Sequence, residues 1–98
     1  MERDNTAKPE FGFPPHVYFR EVDGQMVLLN LENEEYFGLD PVGTNIVNHL
    51  TDKPSEVAMA VLASQYEVDP EVLRQDVAEL VEKLLEAGLL ERKGRADS

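Results

Sequence analysis

The residues that could carry chemistry in this 98-residue chain are two histidines and a large number of carboxylates. Neither His16 nor His49 has a second histidine three or four residues away, the spacing of two metal-binding imidazoles on one helix face. Adjacent acids such as Glu34 and Glu35 are typical of a solvated face. The chain contains no cysteine, no Asp-rich calcium loop and no glycine-rich phosphate cradle. We therefore expect a protein that is not an enzyme and that has no metal or cofactor.

The charge balance is strongly acidic, with 20 Asp and Glu against 9 Lys and Arg and a formal net charge of −11. Such a chain repels nucleic-acid phosphates and anionic membrane surfaces, and it attracts cationic partners. Solubility alone also accounts for this charge, so the balance by itself selects no partner. The first residues, MERDNTAKPE, lack the apolar run of a signal peptide, and no segment approaches a membrane span. We expect a cytoplasmic protein that binds neither nucleic acid nor membrane.

Three short strands are predicted in the first half of the chain. Val17–Val22 and the run from Gln25 are rich in apolar and β-forming residues, and Asp23-Gly24 between them is a strong hairpin signal. A polar break at residues 32–34 separates the second strand from a short aromatic strand, Tyr36–Leu39. The pattern predicts a three-stranded antiparallel meander whose last strand lies at the edge of the sheet.

Three helices follow the predicted sheet. Asp40-Pro41 and Asp69-Pro70 each supply an N-cap oxygen and a first helical residue, and Gly88 is typical of the residue after a helix. The helices are predicted at about residues 41–50, 55–66 and 70–87. A sheet followed by three closely linked helices predicts an α+β, winged helix-turn-helix-like fold.

The two ends of the chain differ from this region in composition. Residues 1–15 combine mixed charges with three prolines and show no periodicity, and Phe11 and Phe13 are their apolar content. The sequence leaves open whether these two rings fold back on the domain. We expect a flexible arm at 1–15, one domain at 16–91 and a flexible tail at 92–98.

The third helix has an apolar arc near half its circumference, which is wider than one packing contact needs. An exposed strand edge beside such a face is the geometry of peptide capture by β-strand addition. Gly38 in the short strand is consistent with the close approach of another backbone. An ordinary edge strand whose aromatic rings pack on the core is the open alternative. The helix has an acidic excess over its two cations, Arg74 and Lys83, which disfavours DNA binding.

Two runs, VLLNLENEEYFGLDPVGTNIVNHL and YEVDPEVLRQDVAELVEKLLEAGLL, resemble the PqqD-like family of peptide recognition elements. These proteins serve the synthesis of ribosomally made, post-translationally modified peptides (RiPPs). The resemblance covers about Val17 to Leu90. The Tyr-Phe-Gly-Leu-Asp run is more similar to stand-alone members of lasso-peptide clusters than to the quinone-cofactor version, where alanine is expected at Gly43. Val47 departs from the pattern, which commonly has an aromatic residue there.

The resemblance implies that the leader of a precursor peptide adds as a strand to the third predicted strand and lies against the third helix. The protein would have no chemistry of its own and would hold the leader for a separate leader peptidase and, indirectly, for a cyclase. The implied peptide-binding residues are Tyr36, Phe37, Gly38, Leu39, Val72, Leu73, Asp76, Leu80 and Lys83. The competing edge of the helix is formed by Arg74, Ala78, Val81 and Leu85.

Two classes of function stay open at this point. The favoured one is a leader-binding module of lasso peptide biosynthesis. The alternative is a winged-helix interaction or regulatory domain, or the equivalent peptide chaperone of quinone-cofactor (PQQ) synthesis or of another RiPP pathway.

Overall fold

The computed structural model describes residues 8–93, so residues 1–7 of the predicted arm and 94–98 of the predicted tail lie outside it. In chain order the elements are β1 (Phe11–Gly12), β2 (Val17–Val22), β3 (Gln25–Asn30), β4 (Glu35–Leu39), α1 (Pro41–Asp52), α2 (Ser55–Gln65), α3 (Pro70–Glu86) and β5 (Glu91–Arg92). The predicted α+β, winged helix-turn-helix-like arrangement is confirmed: the meander is β2-β3-β4, and three helices follow it.

The meander is antiparallel throughout and is fixed by its two turns. Asp23 and Gly24 have φ of 54° and 78°, the left-handed pair that a two-residue type I′ hairpin requires. In the second turn Asn33 Oδ1 accepts a hydrogen bond from Glu35 N at 3.0 Å. β4 begins at Glu35, one residue before the predicted start at Tyr36.

The hydrophobic core lies between one face of this sheet and the helices. Met26 and Leu28 of β3 point into it, at 1% and 0% exposed, and Val47 of α1 is fully buried beside them. Val47, the departure from the pattern noted in the sequence, therefore fills a core position. On the opposite face of the sheet, which none of the helices within residues 8–93 covers, Tyr18 and Tyr36 are exposed.

The caps of α1 and α3 follow the sequence signals. Asp40 Oδ1 accepts from Gly43 N at 2.8 Å, and Asp69 Oδ1 accepts from Glu71 N at 2.9 Å. α3 ends in a left-handed Gly88 with φ 71°, as predicted. Its carbonyls are satisfied in the Schellman pattern, since Gly88 N donates to Leu85 O and Leu89 N donates to Leu84 O. α1 runs two residues past the predicted Leu50 and stops at Asp52.

A short ribbon joins the two ends of the described chain. β1 pairs antiparallel with β5, placing Phe11 opposite Arg92, whose guanidinium lies 5.2 Å from the centre of the Phe11 ring. Phe11 is 7% exposed, and Phe13 stacks on Phe19 with ring centres 4.4 Å apart. Both rings fold back on the domain, which the sequence left open. Within the described part of the predicted arm and tail, these are the contacts that Phe11, Phe13 and Arg92 make, and the division into arm, domain and tail stays a prediction.

Within residues 8–93, none of the helices combines the length and the apolar character that crossing a membrane would need.

Candidate functional site

Strand β4 is paired on one side only. β3 is its single neighbour in the sheet among the described residues. The two-residue turn makes Val22 and Gln25 a hydrogen-bonded pair, so successive residues of β3 turn their backbone groups alternately to β2 and to β4. In this alternation the backbone of Met26 faces β4. Its N–H donates to Thr44 Oγ1 at 2.9 Å, and that hydroxyl lies beside the carbonyl of Leu39 at the end of β4, as expected.

The register of β4 on β3 then shows which of its backbone groups are open. Phe37 lies opposite Leu28, a residue that faces β4, so Phe37 turns its N–H and C=O inward to β3. Tyr36 and Gly38 lie opposite residues that face β2, and they turn their N–H and C=O to the open edge. The edge therefore offers two donors and two acceptors to an incoming strand.

The side chains of β4 divide between the two faces of the sheet. Tyr36 is 74% exposed on the outer face, and a Cβ built on Gly38 would meet no atom within 4 Å. Phe37 is half-buried on the inner face and packs against the core. Leu39 is buried in the core, so only its backbone is available to a ligand. The approach to the open edge is unobstructed on the outer side.

The two edges of α3 face different parts of the molecule. The edge with Arg74 and Ala78 lines a groove together with Met59 of α2 and Phe11 of β1. Ala87, the C-cap residue of α3, accepts a hydrogen bond from Asn30 Nδ2 of β3 at 3.1 Å, which holds the C-terminal end of the helix on the sheet. The edge with Arg74 is thus partly covered by α2 and β1, and the other edge is the one that the resemblance implies for peptide binding, which stays a prediction.

The favoured helix edge is partly apolar and largely accessible. Val72 is 48% exposed, Leu80 is half-buried against the core, and Asp76 and Lys83 are exposed. Leu73 is 5% exposed and belongs to the core, so its side chain is not available to a ligand. The assignment of these residues to a binding site stays a prediction.

Strand β4 and helix α3 are not held directly against each other. Within residues 8–93, the backbone of β4 packs closely on β3 and α1, and that of α3 packs closely on α2. Phe37 and Leu80, the half-buried residues of the two walls, both pack against the common core. We use the name β4–α3 groove for the predicted peptide-binding surface between these two residues, with β4 on one side and the Leu80 edge of α3 on the other.

One titratable group has a shifted pKa, and it lies outside this groove. His49 of α1 lies beside Phe13 and Phe19. Burial lowers its pKa below the ordinary 6.5, Lys53 lowers it further, and Asp52 partly offsets both. Lys53 Nζ is 2.9 Å from His49 Nδ1. In the part of the chain that the structure describes, no three His, Asp or Glu side chains gather as metal ligands.

The sequence did not show which β4 residues face outward. Part of this information was in the sequence, because the Asp23-Gly24 turn fixes which residues of β3 face β2 and which face β4. The missing step was the register across residues 31–34, which sets Phe37 against Leu28. The sequence also gave no sign of the contacts that hold the end of α3 on the sheet: Asn30 to Ala87 O, and His16 Nε2 at 3.1 Å from Gly88 O.

Comparison with known proteins gives one family and two similar solved structures. The model of the family described as coenzyme PQQ synthesis protein D (PqqD) matches residues 25–90, more than half of the chain. A structure of TbiB1 in complex with the TbiA(beta) leader peptide is 30% identical, with a TM-score of 0.76, covering 85% of this chain and 98% of that one. A structure of lasso peptide synthetase B1 complexed with the leader peptide is 32% identical, with a TM-score of 0.76, covering 84% and 98%. No curated protein matches the chain.

Proposed function

This chain belongs to the PqqD-like family of RiPP recognition elements, and on that premise we propose that it binds the leader segment of a ribosomally made precursor peptide. One observation carries the proposal: both similar solved structures are complexes with a leader peptide, and the match spans 98% of each. Because one of them is described as lasso peptide synthetase B1, lasso peptide biosynthesis is the pathway we propose.

The proposed mode of binding is addition of the leader as a fourth strand beside β4. The outward N–H and C=O groups of Tyr36 and Gly38 would exchange hydrogen bonds with the leader backbone. Alternate leader side chains would then point inward, between Phe37 and Leu80, and the others would lie on the outer face beside Tyr36. Backbone pairing is independent of leader sequence, so selection falls to the inward side chains.

Order-of-magnitude free energies support this separation between backbone pairing and selection by side chains. A hydrogen bond contributes a net of about 0.5–1.5 kcal/mol, so four bonds at Tyr36 and Gly38 supply about 2–6 kcal/mol. Association costs at least about 4 kcal/mol in lost translational and rotational freedom. Strand pairing alone therefore gives little net affinity. Burial of apolar leader side chains in the β4–α3 groove, at about 25 cal/mol per Å², has to supply the rest.

We further propose that the protein acts by presentation and carries out no reaction itself. The groove combines the open backbone groups of β4 with the side chains of the α3 edge, Val72, Asp76, Leu80 and Lys83, which are suited to binding and orienting a peptide. A leader held in this way would leave its core peptide free for a separate leader peptidase and, indirectly, for a cyclase.

The family description favours a second candidate, a peptide chaperone of PQQ synthesis. Gene neighbourhood separates the two. A precursor gene beside a cysteine-protease-like gene indicates a lasso pathway, whereas genes of quinone-cofactor synthesis indicate the alternative.

Titration of a labelled leader into the full chain tests the proposal. The probe is the leader of the precursor encoded beside this chain, followed by fluorescence anisotropy. A scrambled leader of the same composition is the matched control, because it keeps charge and length but loses the order of inward side chains. Saturable 1:1 binding of the native leader alone is expected. Equal binding of both peptides, or of neither, would remove leader recognition as the function.

A further inference from the structure

A second apolar groove lies on the side of α3 that faces away from β4. We call it the ribbon groove, because the β1–β5 ribbon forms one of its walls and α2 and α3 form the others. Its volume is about 410 Å³, a size at which clefts in proteins bind ligands. Its apolar lining consists of Phe11, Leu50, Met59, Val77, Val81 and Leu85.

Helix α2 beside this groove has four polar residues among eleven, Ser55, Glu56, Ser64 and Gln65, and they do not gather on one face. Its sequence, SEVAMAVLASQ, has one charged residue, Glu56. Helices without a polar face are ordinarily buried on all sides. Here only Ala58 and Leu62 are buried, while Met59 is half-buried in the groove wall and Val57 is 48% exposed. Met59 and Val57 thus leave apolar surface of α2 uncovered, and Met59 does so in the wall of the ribbon groove.

The charged residues that line the ribbon groove have a net positive charge, opposite in sign to the net charge of the whole chain. Two of them are cations, Arg74 and Arg92, and one is an acid, Glu82, in a chain of net charge −11. Arg74 is held only by an exposed contact to Glu71 at 3.5 Å, which is weak enough to exchange for a better partner. Charge complementarity therefore selects an occupant with carboxylates beside its apolar residues.

The walls of the groove also determine which secondary structure a bound peptide must have. α2 and α3 satisfy their own backbone groups internally, so they present side chains and no open strand edge. The strands of the ribbon wall are two residues long, too short to pair with an extended peptide along its length. An occupant must satisfy its own backbone hydrogen bonds, which a helix does and an extended peptide does not. The ribbon groove differs in this respect from β4, whose open N–H and C=O groups suit a strand.

We propose that the ribbon groove docks an amphipathic α-helix of another protein. Apolar side chains at positions i, i+4 and i+7 of that helix enter between Met59 and Leu85, and its flanking carboxylates reach Arg74 and Arg92. This site is independent of leader binding. Because α3 separates the two grooves, a leader and a partner helix occupy the protein at the same time.

A pair of synthetic helical peptides tests the proposal against the isotopically labelled full chain by NMR. Both carry leucines at i, i+4 and i+7, and they differ only in having Glu or Lys at the flanking positions. We expect the Glu peptide to bind at least tenfold more tightly and to shift the methyl signals of Met59, Val81 and Leu85. Equal affinities, no binding, or shifts centred on β4 would each overturn the proposal.

Charge-reversal variants sharpen the same titration. Arg74→Glu alone, and with Arg92→Glu, is expected to cancel or reverse the preference for the Glu peptide. Both arginines are exposed, so folding survives these changes. Lys83→Glu, on the opposite edge of α3, is the matched control and leaves the preference unchanged. An unchanged preference in the Arg74 variants contradicts the assignment.

Leader recognition and helix docking can be disproved independently of each other. If the leader does not bind but the Glu peptide does, leader recognition is wrong and the helix site stands. If the leader and the Glu peptide compete for one site, the ribbon groove is not the docking surface, whatever the affinity of either.

Discussion

The two outer strands of the three-stranded sheet end in different ways, although both have an unpaired edge. At β2 the N-terminal segment covers part of the edge. Val17 N–H donates to Pro14 O at 3.0 Å, and the Phe13 ring stacks on Phe19. Glu21 adds a charge to the same strand. Charge and a covering segment are the devices by which proteins prevent unwanted strand pairing.

At β4 the described residues provide no covering segment, and the charge of this strand, Glu35, lies at its first residue, away from Gly38. The outward backbone groups of Tyr36 and Gly38 have no strand beside them, and Gly38 leaves the space next to the edge empty. An open strand edge of this kind is a hazard unless another strand uses it. The N-terminal segment thus covers part of the β2 edge, whereas the β4 edge stays open, as the proposed addition of a leader strand there requires.

The largest effect is expected from Phe37→Pro in β4. It removes an N–H that faces β3 and a half-buried ring, so unfolding should become easier by about 3 kcal/mol. For a domain of this size that lowers the melting temperature by more than about 10 °C, measured by circular dichroism. Phe37→Leu is the control: it keeps the N–H but removes the ring, so it separates the stability lost with the ring from the stability lost with the hydrogen-bond donor. A Phe37→Pro protein as stable as Phe37→Leu would show that the assigned alternation is wrong.

The next effect distinguishes the two edges of α3. Leu80→Glu places a carboxylate in the apolar wall of the β4–α3 groove and should weaken leader binding about 100-fold. Leu85→Glu is the matched control, because Leu85 is equally half-buried on the opposite edge. Circular dichroism establishes that both variants are folded. If Leu85→Glu weakens the leader and Leu80→Glu does not, the leader lies on the other side of the helix.

A smaller effect is expected at the open edge itself. Tyr36→Pro and Gly38→Pro each remove an outward donor without breaking a bond to β3, so the fold should survive. Each should weaken leader binding about tenfold, the value of one hydrogen bond. Glu21→Pro removes the corresponding outward donor from β2 and should leave affinity unchanged. Parent-like binding by all three variants would mean that the leader does not pair with β4.

The smallest effect concerns pH and the covered side of the sheet. Burial and Lys53 lower the pKa of His49 below 6.5, so on acidification the unfolded chain takes up a proton before the folded chain does. The free energy of unfolding should therefore fall as pH drops below about 6.5, until the folded pKa is passed. Urea titrations at pH 7.5 and 5.5 measure the slope. His49→Asn should reduce it, and an unchanged slope would assign it to other groups.

Local chemistry made much of the fold predictable. Asp23-Gly24 determines its turn through two left-handed residues, and Asp40-Pro41 determines its helix start through one cap bond. The β1–β5 ribbon was not predictable, because two-residue strands have no periodicity and their pairing joins residues 11 and 92. The helical wheel of α3 showed a wide apolar arc, but two edges of similar character. Only the positions of α2 and β3 separate them.

Amide hydrogen exchange of the labelled chain, with and without bound leader, tests strand addition at β4 most directly. The account predicts that exchange at Tyr36 and Gly38 slows at least tenfold on binding, because their outward N–H groups become hydrogen-bonded. Exchange at Phe19 and Glu21, the outward amides of β2, should stay unchanged. Saturating leader that leaves Tyr36 and Gly38 unprotected, or that protects Phe19 and Glu21 instead, would contradict it.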